Sequence, residues 1–336
     1  METRLGTYGK KQKDISNPVT IIITVCICLG CWFLGFSESI GLPVEPGAYA
    51  TSLWSLLCTF FKKNEIATYA GGFLLLFLTS IAIHRGSYLV LIIKGKTALP
   101  FLFFLLFNST NPDTYPIQAS SIALLFLLAT FYELFRSYQS PVNIGRIYNA
   151  TLYIAIGSLF WVYLLWFIPL FWYGLYKFRL LDIRHFFASV LGVFTTYLYV
   201  LAWCVWKHDF TLLKVSLQSL ISFDFIFLEE TIQVNTIVTF SIVIFIVIST
   251  YVVLSKINSL RTRQFFSFLL IFCIYSFLLI FIYERDNANI LSIFYVPASI
   301  LLSYLFANRS GFISYLSYYS VITFFVILFI LRLWNY

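Results

Sequence analysis

The sequence predicts an all-α protein, a polytopic transmembrane helix bundle of about eleven spans, nine at the fewest, with its N-terminus in the cytoplasm. Three observations lead there. Of the 336 residues, 60% are hydrophobic, 21% aromatic and only 11% charged, whereas soluble domains run to roughly 45–50% apolar and 25% charged. The apolar residues fall into successive runs, most of them near the ~20 residues that cross a bilayer as a helix. The basic residues are divided unevenly between the connections, as the positive-inside bias of membrane helices requires.

The runs follow in order. Pro18–Phe36 comes after a basic tail, residues 1–17, that carries Arg4, Lys10, Lys11 and Lys13. The run lacks a small-residue cleavage site and reads as a retained signal anchor. Further runs occupy 69–83, 98–107, 117–135, 148–158, 160–176, 186–206, 234–254, 265–283, 290–307 and 313–331. Runs 98–107 and 148–158, and marginally 69–83, are too short to cross without tilt, bilayer thinning or shelter among neighbours.

With the N-terminus inside, the outer connections hold Lys62, Lys63, Lys207, Lys214, Arg285 and Arg332, which leaves 16 of the 22 basic residues on the cytoplasmic side. The same outer side takes 10 of the 14 acids, among them Glu38, Glu45, Glu229, Glu230 and Asp286. Inverting the protein would invert both biases. The whole chain, 1–336, then forms one integral membrane domain. Two outer loops, 37–68 and 207–233, exceed the usual connection of about 4–6 residues. The first holds Trp54, Phe60 and Phe61; the second alternates Leu212, Leu213, Val215 and Leu217 with Lys214 and Gln218. Each is expected to carry a helix lying in the membrane interface.

Composition also excludes several functions. The net charge of +8 is scattered between apolar runs and forms no nucleic-acid face. Of six cysteines, all but Cys58 lie in apolar runs, and the Cys28/Cys31 spacing is that of small hydrophobes in a helix as well as of a redox pair. Three histidines, His84, His185 and His208, form no metal set, and no cofactor is indicated. There is no phosphate loop, metallopeptidase motif or nucleophile elbow. No ionisable residue lies near the centre of a run, which weighs against an ion-driven pump. Asn108-Ser109-Thr110 matches the glycosylation sequon.

What remains is the outer surface. Glu38 follows the first run directly, and Glu45 lies in the turn-rich Leu42-Pro43-Val44-Glu45-Pro46-Gly47. A carboxylate at the mouth of the first span, followed by an outer loop with interface helices, resembles the polyprenyl-phosphate-dependent membrane glycosyltransferases of the C superfamily. The likeness lies in topology over the whole chain. It implies Glu38 and Glu45 as catalytic bases, with Lys62, Lys63, Lys207, His208 or Arg285 holding the lipid phosphate, and a periplasmic working face in a bacterial inner membrane. Acids also collect in outer loops simply because those loops meet water and basic residues are steered inward.

A second likeness is local. Over roughly 99–209, Ser158-Leu159-Phe160, Ile168-Pro169 and Phe178-Arg179-Leu180-Leu181-Asp182-Ile183-Arg184-His185 resemble an uncharacterised family of Bacteroidota inner-membrane proteins. Arg179, Arg184 and His185 could grip an anionic headgroup of the inner leaflet or only anchor orientation. The functions that fit are a transferase acting on polyprenyl-linked sugars, a noncatalytic subunit scaffolding a cell-envelope complex with membrane protein partners, and a carrier or flippase for a lipid-linked substrate.

Overall fold

A computed structural model describes residues 18–39, 52–61, 64–89, 97–138, 144–221, 259–283, 287–307 and 312–334. Those residues form helices α1 (Pro18–Ser39), α2 (Ser52–Phe61), α3 (Glu65–Leu89), α4 (Leu99–Ser109), α5 (Ala119–Ser137), α6 (Ile144–Ser158), α7 (Phe167–Lys177), α8 (Ile183–Lys207), α9 (Thr211–Ile221), α10 (Leu260–Ile282), α11 (Asn287–Ala307) and α12 (Phe312–Trp334), with 3-10 turns at Pro112–Thr114 and Val162–Trp166. Six of them, α1, α3, α5, α8, α10 and α11, are long and apolar enough to cross a bilayer. The protein is an all-α, multi-pass membrane bundle, since only helices and closed barrels satisfy their own backbone in hydrocarbon.

Contacts between helices fix their directions. Near their starts, Thr24 Oγ1 of α1 lies 3.0 Å from the Tyr318 hydroxyl of α12. Further along, the rings of Phe107 and Phe325 sit 4.6 Å apart, so α4 runs with α12 and α1 towards one face, here the upper. α3 returns, its Tyr69 ring 5.2 Å from Phe36 at the end of α1. The Ile117 amide donates to the Thr68 carbonyl at 3.2 Å, which starts α5 at that upper face. α6 and α8 run parallel, tied by Tyr148–Thr195 at 3.1 Å and Ser158–Tyr197 at 2.8 Å. α10 begins beside the end of α5, with Phe135 and Phe265 4.9 Å apart. It ends under α9, where the Tyr283 hydroxyl donates to the Leu220 carbonyl at 2.8 Å. α11 descends, Tyr295 meeting Phe107 and Tyr304 meeting Phe266.

Aromatic rings fill the interior, as the 38 phenylalanines lead one to expect. Phe131, Phe135, Phe178, Phe265, Phe268 and Phe272 form one lattice between α5, α10 and the end of α7, mostly edge-on or tilted, the geometry that aromatic quadrupoles favour. One interface is built differently. Along α8, Ala188, Gly192 and Thr196 are buried at a four-residue spacing, and a Cβ on Gly192 would overlap Thr151 Oγ1 and crowd the Tyr148 carbonyl of α6. That is a small-residue seam, which lets two membrane helices approach closely.

Several elements differ from the sequence-based spans, each for a physical reason. The run 69–83 belongs to a helix of 25 residues. Polar residues at its ends bond back to helix carbonyls, Thr68 to Asn64 at 3.2 Å and Ser87 to His84 at 2.9 Å, and so do not stop it. Run 160–176 is not one helix. The chain leaves α6 at Ser158, extends at Trp161, and makes a 3-10 turn before α7, where Pro169 falls in the first turn, a position that tolerates proline. Run 98–107 is α4, only 11 residues long with ten of them buried, so shelter among neighbours is the solution it uses. Cys58 lies in α2 and not in a loop, and Cys28, Cys31, Cys58, Cys204 and Cys273 are buried free thiols. Run 234–254 lies outside the described residues.

Candidate functional site

Two constructions occupy the upper face. The first is the connection from α4 to α5. Helix α4 cannot pass Asn111, which Pro112 holds extended, and after the 3-10 turn the chain is extended again at Gln118 before α5. The result is irregular polar backbone at membrane depth, which is tolerated only where protein or water surrounds it. Asn108, Ser109, Thr110, Asn111 and Tyr115 are each at most 1% exposed. Their groups are largely self-satisfied: Asn108 Nδ2 donates to Phe104 O at 3.0 Å, Thr114 Oγ1 to Asn108 O at 2.9 Å, and the Tyr115 hydroxyl to Ser109 O at 2.7 Å and Cys31 O at 3.1 Å. Gly72 of α3 is required beside it, since a Cβ there would overlap the Tyr115 carbonyl. From α12, Arg332 reaches in and donates Nη1–H to Thr110 O at 2.7 Å.

The second construction is a groove. Tyr148, Leu152 and Ile156 of α6 and Thr195, Tyr199 and Trp203 of α8 line an apolar cavity of about 490 Å³, with Leu53 and Leu56 of α2 at its side. It shares Leu159, Val200 and Trp203 with a second cavity of about 250 Å³ further up, where Ser158, Tyr197, Lys207 and Asp209 add polar groups. Tyr199 and Trp203 are 75% and 64% exposed, so the groove opens sideways to the membrane. Its combined shape is an apolar trough rising to a polar mouth, within the size range of small-molecule sites.

Among the described residues, Lys207 brings a cation to the mouth. Lys207 ends α8, is exposed, and holds its ammonium 5.5 Å from the centre of the Trp203 ring, a cation–π placement. Asp209 is committed elsewhere: it accepts from the Thr211 amide at 2.9 Å and hydroxyl at 2.6 Å. Those bonds hold its carboxyl below the usual range, ionised and capping α9. His208 adopts a left-handed conformation, φ 53°, and its amide and that of Asp209 close the end of α8 on Val205 O and Cys204 O. Its placement is that of a helix terminator.

Comparison with protein-family models, curated proteins and solved structures returns no match. The site therefore stands on its own geometry.

Of the residues singled out from sequence, Lys207 and His208 share the groove's rim. Glu38 falls in the last turn of α1, at the same face. Glu45, Lys62, Lys63 and Arg285 lie outside the described residues. At the opposite face the trio Arg179, Arg184 and His185 divides: both arginines are exposed, whereas His185 is 4% exposed. Arg179, at φ 57°, terminates α7, and Asp182 starts α8 by accepting from the Ile183 amide at 2.7 Å. The Phe178-to-His185 motif is thus a stop and a start, with Arg179 between the helices and Arg184 in the first turn of α8. The Asn108 sequon is sealed in the core, where no glycosylating enzyme reaches it. Sequence reasoning missed Tyr197, Trp203, Asn111 and Arg332. A signal existed for Asn111: Asn-Ser-Thr-Asn-Pro at the end of a ten-residue apolar run is polar backbone with no water to solvate it.

Proposed function

We propose that this protein is an enzyme of the bacterial inner membrane that transfers sugar from a polyprenyl-phosphate donor at the periplasmic face, the face towards which α1 runs. The observation that carries the reading is the lateral groove between α6 and α8, which suits a long apolar chain and ends at Lys207. A prenyl chain would lie along Tyr148, Leu152 and Tyr199, and the phosphate would meet the ammonium. In the transfer, Glu38 or Glu45 takes the proton from an acceptor hydroxyl as its oxygen bonds the sugar's anomeric carbon. The bond from that carbon to the phosphate oxygen breaks, and polyprenyl phosphate leaves with its charge beside Lys207.

Helix directions support eleven crossings. Ile221 lies at the upper face and Ser259 at the lower. The 16-of-22 basic bias supports reading the upper face as the outer one.

The test uses proteoliposomes holding a polyprenyl-phosphate sugar, with product glycan as the readout. Lys207→Gln should raise KM for the lipid donor roughly tenfold with little change in kcat, the scale of one charge-assisted hydrogen bond. Glu38→Gln with Glu45→Gln should abolish product. Full activity of that double variant removes the catalytic assignment, and an unchanged KM in Lys207→Gln removes the groove.

A further inference from the structure

Arg332 is 92% withdrawn from solvent, 8% exposed, near the end of α12, yet only one of its three nitrogens has a partner. Nη1 donates to Thr110 O, while Nε and Nη2 have none among the described residues. Those two N–H groups form one edge of the guanidinium, the parallel pair that takes both oxygens of a phosphate or carboxylate. Asn111, next in the chain to Thr110, is fully buried, and neither its Nδ2 nor its Oδ1 has a partner among the described residues. A buried cation with an unmatched edge costs several kcal/mol in the general case, and a buried amide with nothing to bond adds to that.

We propose that the Arg332 Nε/Nη2 edge and the Asn111 carboxamide form an oxyanion site at the upper face, taking the phosphate of a lipid headgroup or a free phosphate. The site lies among α1, α4 and α12, and it stands whether or not the groove at α6 and α8 binds a lipid donor. Thr110 O, by holding Nη1, fixes the plane of the guanidinium so that its open edge is presented without further ordering. Asn111 supplies an amide N–H as a third donor. The backbone break at Pro112 is what brings that amide to the end of α4, where a continuing helix would have turned it away.

The test follows thermal unfolding of the full-length protein in phosphatidylcholine nanodiscs titrated with inorganic phosphate, against chloride at equal ionic strength. A parallel series contains phosphatidylglycerol. A rise in Tm with inorganic phosphate assigns the site to a free anion; a rise only with phosphatidylglycerol assigns it to a headgroup. Arg332→Gln should abolish the response. Arg332→Lys keeps the charge but loses the edge, and Asn111→Ala loses the third donor, so each should weaken binding roughly tenfold or more. The proposal is overturned if neither probe shifts the wild-type Tm, or if Arg332→Gln responds as wild type does.

Discussion

Helices α8 and α11 are close to equal in hydropathy, 1.7 and 2.0, but 22% of the first is buried and 89% of the second. Hydropathy reports whether a helix enters the bilayer. It does not say whether lipid or protein surrounds it there, because lipid tails are as apolar as leucine. What separates the two is shape. Helix α8 offers one narrow stripe of Ala188, Gly192 and Thr196 to α6 and leaves Phe187, Leu198, Tyr199 and Trp206 outward. Helix α11 meets neighbours all round, with Phe294, Tyr295, Ser299 and Ser303 each fully buried, and it absorbs Pro297 in mid-helix.

Substitutions can break that contrast. The largest effect is expected from Phe294→Ala in α11, about 3–5 kcal/mol of lost stability in bicelles, the cost of a cavity in a packed core. Gly192→Leu should come next, about 1–3 kcal/mol through overpacking of the α6–α8 seam. Tyr197→Phe removes the hydroxyl bonded to Ser158 and should cost about 0.6 kcal/mol, the typical value between membrane helices. Leu198→Ala on the lipid face should stay within about 0.5 kcal/mol. Equal costs for Phe294→Ala and Leu198→Ala would erase the distinction between centre and rim.

The smallest effect concerns pH at the end of α8. The folded state depresses the Asp209 carboxyl through its Thr211 bonds, so the contribution is present above the ordinary carboxylate range and is lost as pH falls through the lower folded value. The protection factor at the first turn of α9, taken against the intrinsic exchange rate at each pH, should therefore fall on acidification, and Asp209→Asn should flatten that dependence.

The helices were legible in the sequence where apolar runs approached bilayer length, as at α1, α5, α8 and α10. The break before α7 was not, because aromatic residues from Phe160 to Trp166 look alike whether the backbone is α-helical or 3-10. Helices in the two long connections were expected from loop length and alternating leucines, and α2 and α9 stand there. At the site, Lys207 could be picked out as a charge ending an apolar run. The groove beneath it could not, since it exists only when α6 and α8 lie parallel. Arg332 read as a terminal charge because its partner, the Thr110 carbonyl, lies 222 residues away.

That separation bears on how the chain is made. Helix α4 is too short to span and ends in polar backbone, and its shelter comes partly from α11 and α12, which leave the ribosome well after it. Until they arrive, Asn108 stands outside its final packing. In a eukaryotic host its sequon would be open to the glycosylation machinery only during that interval. A glycan on Asn108 would then mark molecules whose C-terminal helices came late or never docked, and its fraction would time the closing of the bundle.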